Sequence, residues 1–466
     1  MDKIFGKTKH IHFIGIGGIG MSGMAELLFN HGFIISGSDI LESERIKHLK
    51  KIGLKINIGH KTDNIKNCDL VVYSSAINKS ENIEISESKK LNIPIIKRAE
   101  LLGEMIKIKK ISLAVSGTHG KTTTSSMIGN ILHIADLKPT VITGGIVNRF
   151  NSNNISGNGD IIVVEADEFD KSFLSLTPTY ISINNIELEH LDIFTDLDDL
   201  KKSFIQFANS IPFYGNISLG IDSEHVKNIL PEIKKSYKTF GINQKADIMA
   251  KNIKYKNNNT FFDVWINNKK EFNINLKVPG LHNIYNALSA IAISLDIEVK
   301  HNSIIEGLKQ FCGVKRRFEI KYDNINDKNI MIIDDYAHHP SEIYSTINAA
   351  KSGWPDRRII CIFQPHLFSR TQDFYKEFSK ALMHSNINIL APIFPAREKP
   401  IKNVSSEMIS KELLNLGHDN TFTCKSTEEI PGIIKENVTN NDIILIMGAG
   451  NIYKNIDKIY SAIINE

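Results

Sequence analysis

A lysine that follows a glycine turn at the end of a short apolar run is the first group in this sequence with an evident chemical use. The run Ile111–Val115 leads into Ser116-Gly117-Thr118-His119-Gly120-Lys121-Thr122-Thr123-Thr124 and then a helical stretch. This is a shortened P-loop, with Val115 where the usual form has its first glycine. Backbone N–H groups of such a turn cradle phosphates, Lys121 neutralises the group being transferred, and Thr122 offers a hydroxyl to Mg²⁺. A plain glycine turn with a surface lysine is the bland alternative. The run Asp160–Val164 ends in Glu165-Ala166-Asp167-Glu168-Phe169-Asp170. Acids at a strand tip after a P-loop are where a metal-holding carboxylate is needed. Glu165, first past the run, is the leading choice, because a solvated acidic turn would read the same and not all four acids can be ligands. After the run Tyr180–Ile183 comes a loop with Glu187, Glu189 and His190. Magnesium prefers oxygen, so on chemistry alone His190 reads better as a capping or hydrogen-bonding group than as a ligand.

A second glycine-rich turn stands near the start. The run Ile11–Ile16 passes through Gly15, Gly17, Gly18 and Gly20 to Ser22 and a helix, and Asp39 closes the following run. Glycines let a diphosphate approach bare N–H groups, the helix N-terminus faces its charge, and an acid about 20 residues on suits a ribose hydroxyl. The ligand is NAD(P) or another nucleoside diphosphate; a purely structural tight turn is the alternative.

The elements that must position these groups follow from the hydrophobic pattern. Short runs such as Leu70–Tyr73, Met331–Ile333, Ile359–Phe363 and Ile443–Met447 alternate with longer helical stretches. Runs apolar on both faces and ended by glycine or an acid mark parallel strands covered by helices. The class is α/β, doubly wound. The 466 residues suggest three domains at about 150 residues each. Boundaries in Met105–Lys110 and near Gly313–Glu319 give 1–107, 108–318 and 319–466. A net charge of +4, from 56 basic and 52 acidic residues, argues against a dedicated nucleic-acid binder. No apolar run is long enough to cross a bilayer, and the glycine-broken N-terminus reads as a first strand and turn. Cys68, Cys312, Cys361 and Cys424 form no CxxC pair, and three have apolar neighbours. Buried free thiols and a reducing cytoplasm are expected.

The motifs GIGGIGMSG, SGTHGKTTT, EADEFD, NIELEHLD, GLHNIYNALSA, DDYAHHP and QPHLFSRT occur in this order across nearly the whole chain. In that combination the sequence resembles the Mur ligases of peptidoglycan synthesis. The resemblance implies a Rossmann-like first domain for a UDP substrate, a central P-loop ATPase domain with a mostly parallel sheet, and a Rossmann-like C-terminal domain for the amino acid and closure. It implies ATP-dependent joining of L-alanine to UDP-N-acetylmuramate, with Mg²⁺ or Mn²⁺, in a cytoplasmic monomer or homodimer that engages neither nucleic acid nor membrane. The turn Gly15–Gly20, with Ser22 and Asp39, would hold the UDP diphosphate, and Ser74 and Ser75 would help. Gly117 to Thr123 would bind the ATP phosphates. Thr122, Glu165 and His190 would form the metal shell, and Asn283 and Asn286 would read adenine, with helix capping as the alternative for those amides. Asp335 would bind the ATP ribose and Arg317 would face the nucleotide. Tyr336, His338 and His339 would sit at the interdomain cleft, and His338 is the candidate base for the amine. His366 and Arg370 would contact the muramyl carboxylate or the amino acid, since an arginine fork pairs bidentately with carboxylates.

Three departures stand out. The family tail GAGD reads Gly448-Ala449-Gly450-Asn451, and a PAGE-type loop reads Pro395-Ala396-Arg397-Glu398. The carbamylated lysine of some relatives has no counterpart marked by a motif; Lys201 and Lys202 are nearby but read as solvated. Within the family, a ligase that attaches a preformed peptide to UDP-N-acetylmuramate during cell-wall recycling shares most motifs. Outside it stand an NAD(P)-dependent oxidoreductase and a P-loop NTPase that only binds or regulates; both leave part of the motif set unexplained.

Overall fold

Runs of branched apolar residues ended by glycine or an acid form the strands of three sheets in the computed structural model, which describes residues 5–188, 193–396 and 398–464. The first sheet holds β1 (His10–Ile14), β2 (Ile34–Asp39), β3 (Lys55–Ile58), β4 (Leu70–Tyr73) and β5 (Ile95–Lys97) in the order β3-β2-β1-β4-β5. All its pairings are parallel. The strand order reverses at β1, and the glycine turn leaves the carboxyl end of that strand, where open α/β sheets bind ligands.

The second sheet holds β6 (Ile111–Ser116), β7 (Thr140–Val147), β8 (Ser152–Ile155), β9 (Ile161–Glu165), β10 (Tyr180–Ile183), β11 (Asn216–Gly220), β12 (Tyr237–Gly241), β13 (Ile248–Lys256), β14 (Asn259–Ile266) and β15 (Lys269–Leu276). Its order is β15-β14-β13-β12-β11-β10-β6-β9-β7-β8. β6, source of the P-loop, runs parallel to both neighbours, β9 and β10. That register puts the P-loop beside Glu165 on one side and Asn184–Asn185 on the other. The third sheet holds β16 (Glu319–Ile325), β17 (Ile330–Asp335), β18 (Arg358–Phe363), β19 (Ile387–Leu390), β20 (Thr421–Thr423) and β21 (Asp442–Met447), ordered β16-β17-β21-β18-β19-β20. Only β16 pairs antiparallel there. β17 and β21 are buried along their whole length, as strands covered on both faces must be.

The strands of the three sheets fall inside 1–107, 108–318 and 319–466 respectively. By contact density, however, the chain forms two compact units: Met1–Lys251 with Val264–Phe272 and Tyr285–Gln310, and Asn252–Asp263 with Asn273–Ile284 and Phe311–Glu466. β1 stops at Ile14 rather than Ile16, because Gly15 takes φ 78° and starts the turn. Cys68, Cys361 and Cys424 are buried and Cys312 is exposed, all four as free thiols. Among the described residues no helix is long and apolar enough to cross a membrane.

His12, which is buried, and His282, which is partly buried, are held in neutral form inside these units. His12, on β1, shares a hydrogen bond with the Ser36 hydroxyl at 2.8 Å. Burial lowers its pKa to about 4 despite the nearby Glu84 carboxylate. His282 is likewise held down to about 4, by burial and then by Arg317. A lowered histidine pKa means the unfolded chain binds the proton first. Stability is therefore whole above the unfolded value of about 6.5 and falls as the pH drops toward 4. At pH 5 each group is expected to cost about 2 kcal/mol. The thermal midpoint should drop between pH 7.5 and pH 5, and drop less in His12→Gln; an identical drop in that variant would contradict the assignment.

Candidate active site

The P-loop backbone explains its glycines. Gly117 has φ 128°, and a Cβ there would lie 2.9 Å from the Asn185 carbonyl oxygen. Gly120 has φ 81°, lies against the Asn286 side chain and caps the helix Lys121–Ile134. The first N–H groups of that helix lack intrahelical partners and point at the turn, which makes an anion site. The Lys121 ammonium donates to the carbonyls of Gly117 (2.7 Å) and Thr118 (3.1 Å) and to Glu168 (2.9 Å). Thr122 donates its hydroxyl to Glu165 Oε2 at 3.1 Å, while Glu165 Oε1 accepts from Ser125 Oγ at 3.4 Å and the Gly144 N–H at 2.6 Å. Burial raises the Glu165 pKa against the pull of the Gly144 N–H and Lys121. Hydroxyl and carboxylate oxygens side by side suit a hard divalent cation.

The opposite wall comes from the segment after β10. The Thr118 N–H donates to the Asn185 carbonyl at 3.1 Å, and the His119 N–H to Asn185 Oδ1 at 2.8 Å. The His119 ring meets Glu187 at 3.2 Å. Thr123 is buried in the first turn of the helix. Behind it, Thr124 donates to Asn286 Oδ1 at 3.3 Å and accepts from Asn184 Nδ2 at 3.0 Å. Asn286 thus braces the P-loop helix. Asn283, one turn earlier on the helix Leu281–Asp296, donates to the Pro279 carbonyl at 2.6 Å, a capping-type bond. His190 lies outside the described residues.

In the first glycine turn, the N–H groups of Gly15 and Ile16 donate to the Ser38 carbonyl at 2.8 and 3.1 Å. The Gly17 N–H donates to Asp39 Oδ2 at 2.8 Å, so Asp39 holds the turn itself. Gly18 is the N-cap of the helix Ile19–Asn30. Gly20 faces Arg98, whose Nη1 would be 3.0 Å from a Cβ at that position. Ser22 is buried and its hydroxyl donates back to the Ile19 carbonyl at 3.0 Å. Ser74 flanks Gly15, with its Cβ 3.2 Å from the place a Gly15 Cβ would take, and Ser75 is exposed beside it.

In the C-terminal unit, Asp335 accepts from the Phe318 N–H (2.9 Å), the Thr346 hydroxyl (3.2 Å) and the Ala337 N–H (2.8 Å). Its carboxylate pins Phe318, just before β16, to the end of β17. Arg317 lies 3.5 Å from Glu342 and over the Tyr336 ring at 5.2 Å. His338 Nδ1 is 3.0 Å from the Tyr336 carbonyl and 3.2 Å from Glu342 Oε2, both acceptors, so Nδ1 carries a proton and Nε2 is the ring nitrogen left for another partner. His339 caps the helix Pro340–Gly353. His366 lies edge-on to His338 with centroids 6.0 Å apart and stacks on Phe394. Burial, then His338 and Arg370, lower its pKa to about 4, so it is neutral at physiological pH. Arg370 stands in the first turn of the helix Phe368–Leu382.

Family models for the Mur ligase catalytic, middle and glutamate ligase domains match residues 10–110, 115–294 and 316–450. The UDP-N-acetylmuramate–L-alanine ligase of a Sulfurihydrogenibium species is 46% identical over 96% of both chains. That of Persephonella marina is 44% identical over 97% of both. The solved UDP-N-acetylmuramate–alanine ligase of Thermotoga maritima superposes with TM-score 0.82 at 31% identity, covering 97% of this chain and 98% of that one. A murein peptide ligase from Psychrobacter arcticus gives TM-score 0.70 at 26% identity, over 98% and 99%. The chain belongs to the Mur ligase family.

Arg98, which faces Gly20 of this Mur ligase from 78 residues away, carries no motif of its own. Glu168 lies inside EADEFD, 47 residues from the lysine it pairs with. Arg316 donates to the Gly448 carbonyl at 2.6 Å and packs over the rings of Tyr336 and Tyr453, tying the linker to the GAGN turn. In that turn, Asn451 Oδ1 accepts from Gln364 Nε2 at 3.2 Å, two residues before His366. Lys201 is only 19% exposed and lies 3.6 Å from Asp198, so it is less solvated than its sequence suggests. Arg397 lies outside the described residues.

Proposed function

We propose that this Mur ligase joins L-alanine to the lactyl carboxylate of UDP-N-acetylmuramate, at the expense of ATP, in peptidoglycan synthesis. The reading is carried by one observation: a P-loop with Lys121, Thr122 and Glu165 in register, inside a chain matched end to end by ligases of that name.

Oxide cannot leave a carboxylate at neutral pH, so the carboxylate must first be activated. Its oxygen attacks the γ-phosphorus in line, the bond to the bridging oxygen of ADP breaks, and an acyl phosphate forms. Lys121 and the N-terminus of its helix stabilise the charge on the phosphoryl oxygens. Thr122 and Glu165 would hold Mg²⁺, or Mn²⁺ in its place, which supplies further charge neutralisation at the β- and γ-phosphates. His190 is the expected third member of that set. The neutral alanine amine then attacks the acyl carbon, and phosphate leaves from the tetrahedral intermediate. His338 is the proposed acceptor of the amine proton through Nε2. His366 and Arg370 are proposed to orient the carboxylates, and the turn Gly15–Gly20 with Ser74, Ser75 and Arg98 to hold the UDP diphosphate. Asn283, Asn286, Arg317 and Asp335 are proposed on the nucleoside side of ATP; Asp335 there also carries the structural bonds described above.

The competing family reading is attachment of a preformed peptide. Phosphate release measured with L-alanine and with L-Ala-γ-D-Glu-meso-diaminopimelate separates the two. Turnover at least about 100-fold faster with L-alanine is expected, on the scale that loss of a few site contacts produces. Faster turnover with the tripeptide would overturn the assignment.

A further inference from the structure

The four acids of EADEFD are not equivalent in the folded chain. Glu165 takes the Thr122 and Ser125 hydroxyls and the Gly144 N–H. Glu168 takes Lys121 with both oxygens, at 2.9 and 3.2 Å. Its side chain is 1% exposed, against 44% for Asp167, which stands 3.7 Å from the same ammonium. A carboxylate this far from water needs an opposite charge beside it, and Lys121 is the cation in contact. The lysine has three donors. Two meet the carbonyls of Gly117 and Thr118, and the third meets Glu168. Those carbonyls belong to the turn that leads into the helix N-terminus, so the ammonium is folded back onto its own loop.

We infer that Glu168 is the resident counter-ion of Lys121, and that nucleotide phosphate displaces it when ATP or ADP binds. The inference rests on the proposed role of Gly117–Thr123 as the phosphate site. Glu168 is then a positioning residue: it holds Lys121 at the mouth of the loop and sets a threshold that an incoming phosphate must exceed. The exchange is one ion pair for another, Lys121 with carboxylate for Lys121 with phosphate. It requires no metal, and the carboxyl it releases, whose pKa burial already raises, is placed to take a proton from solvent. Glu165, whose hydrogen bonds come from Thr122, Ser125 and Gly144, is left for the cation.

The test is titration of ADP into the full chain by calorimetry, first with EDTA and then with Mg²⁺. Glu168→Gln keeps the size and an acceptor oxygen but removes the competing charge. Metal-free ADP is expected to bind about tenfold tighter than to the wild type, a single ion pair's share of an exposed-to-buried site. In a Lys121→Ala background the same substitution should give no tightening. Unchanged or weaker metal-free affinity would overturn the inference. So would an effect seen only with Mg²⁺, which would make Glu168 a metal ligand, or a tightening that survives in Lys121→Ala, which would make it a general charge effect. Should Glu168→Gln not fold, Glu168→Asp, whose shorter arm weakens the pair, should tighten ADP in smaller measure. Failure of the wild type to bind ADP even with Mg²⁺ would instead refute the phosphate-site reading, and is told apart by that control.

Discussion

Lys121→Ala should lose ADP formation by about 1,000-fold or more while binding UDP-N-acetylmuramate with wild-type affinity. The size follows from removing a side-chain cation that lies against the P-loop turn, worth about 4 kcal/mol when charge develops in a preorganised site. The sparing of the UDP substrate follows from the architecture: Lys121 leaves the end of β6, and the first glycine turn leaves the end of β1 in a separate sheet. The helix Lys121–Ile134 should survive, since alanine is a good helix former at its first position. Calorimetric titration of UDP-N-acetylmuramate and a coupled ADP assay check both halves. Turnover near wild type would refute the role of the loop.

The complementary lesion is Gly17→Val. A Cβ at Gly17 would lie 2.9 Å from Asp39 Oδ2 and 3.0 Å from Ile46 Cδ1, before the valine methyls are counted. The side chain must push Asp39 off the Gly17 N–H and press on Ile46, distorting the turn that leads into the helix N-terminus proposed to meet the diphosphate. Affinity for UDP-N-acetylmuramate should fall at least about 100-fold, the loss of two or more charge-assisted hydrogen bonds. ADP binding should change less than about twofold. The two variants thus fail in opposite halves of the substrate set. Equal loss of both ligands in Gly17→Val would point to general unfolding of the first sheet, which circular dichroism would register.

Both glycine turns were legible because their chemistry is local. Gly117 and Gly120 need positive φ, Lys121 follows at a fixed offset, and a helix start must lie next to it; all of this is written within nine residues. The alternation of apolar runs gave the parallel sheets for the same reason, since burial on both faces leaves no polar alternation. The groups that complete the sites were not legible. Arg98 meets Gly20 only after β5 pairs with β4, and Arg316 reaches Gly448 across 132 residues. Each is one basic residue among 56, with no neighbour that marks it. Asp39 was at the right spacing for a ribose acid, yet its carboxylate also holds the Gly17 N–H, a second use that spacing cannot reveal. Asn283 and Asn286 stand on one helix face as expected. Their amides nevertheless bond to protein, Asn283 to Pro279 and Asn286 to Thr124, because a helix start and a P-loop helix both leave polar groups that burial requires to be paired.

The most direct test of the central claim is a coupled ADP assay on the purified chain with substrates omitted one at a time. With ATP, Mg²⁺, UDP-N-acetylmuramate and L-alanine all present, ADP should form steadily, and leaving out either UDP-N-acetylmuramate or L-alanine should abolish sustained turnover. Steady ADP formation without UDP-N-acetylmuramate would contradict the account, because no acyl phosphate could then be the intermediate.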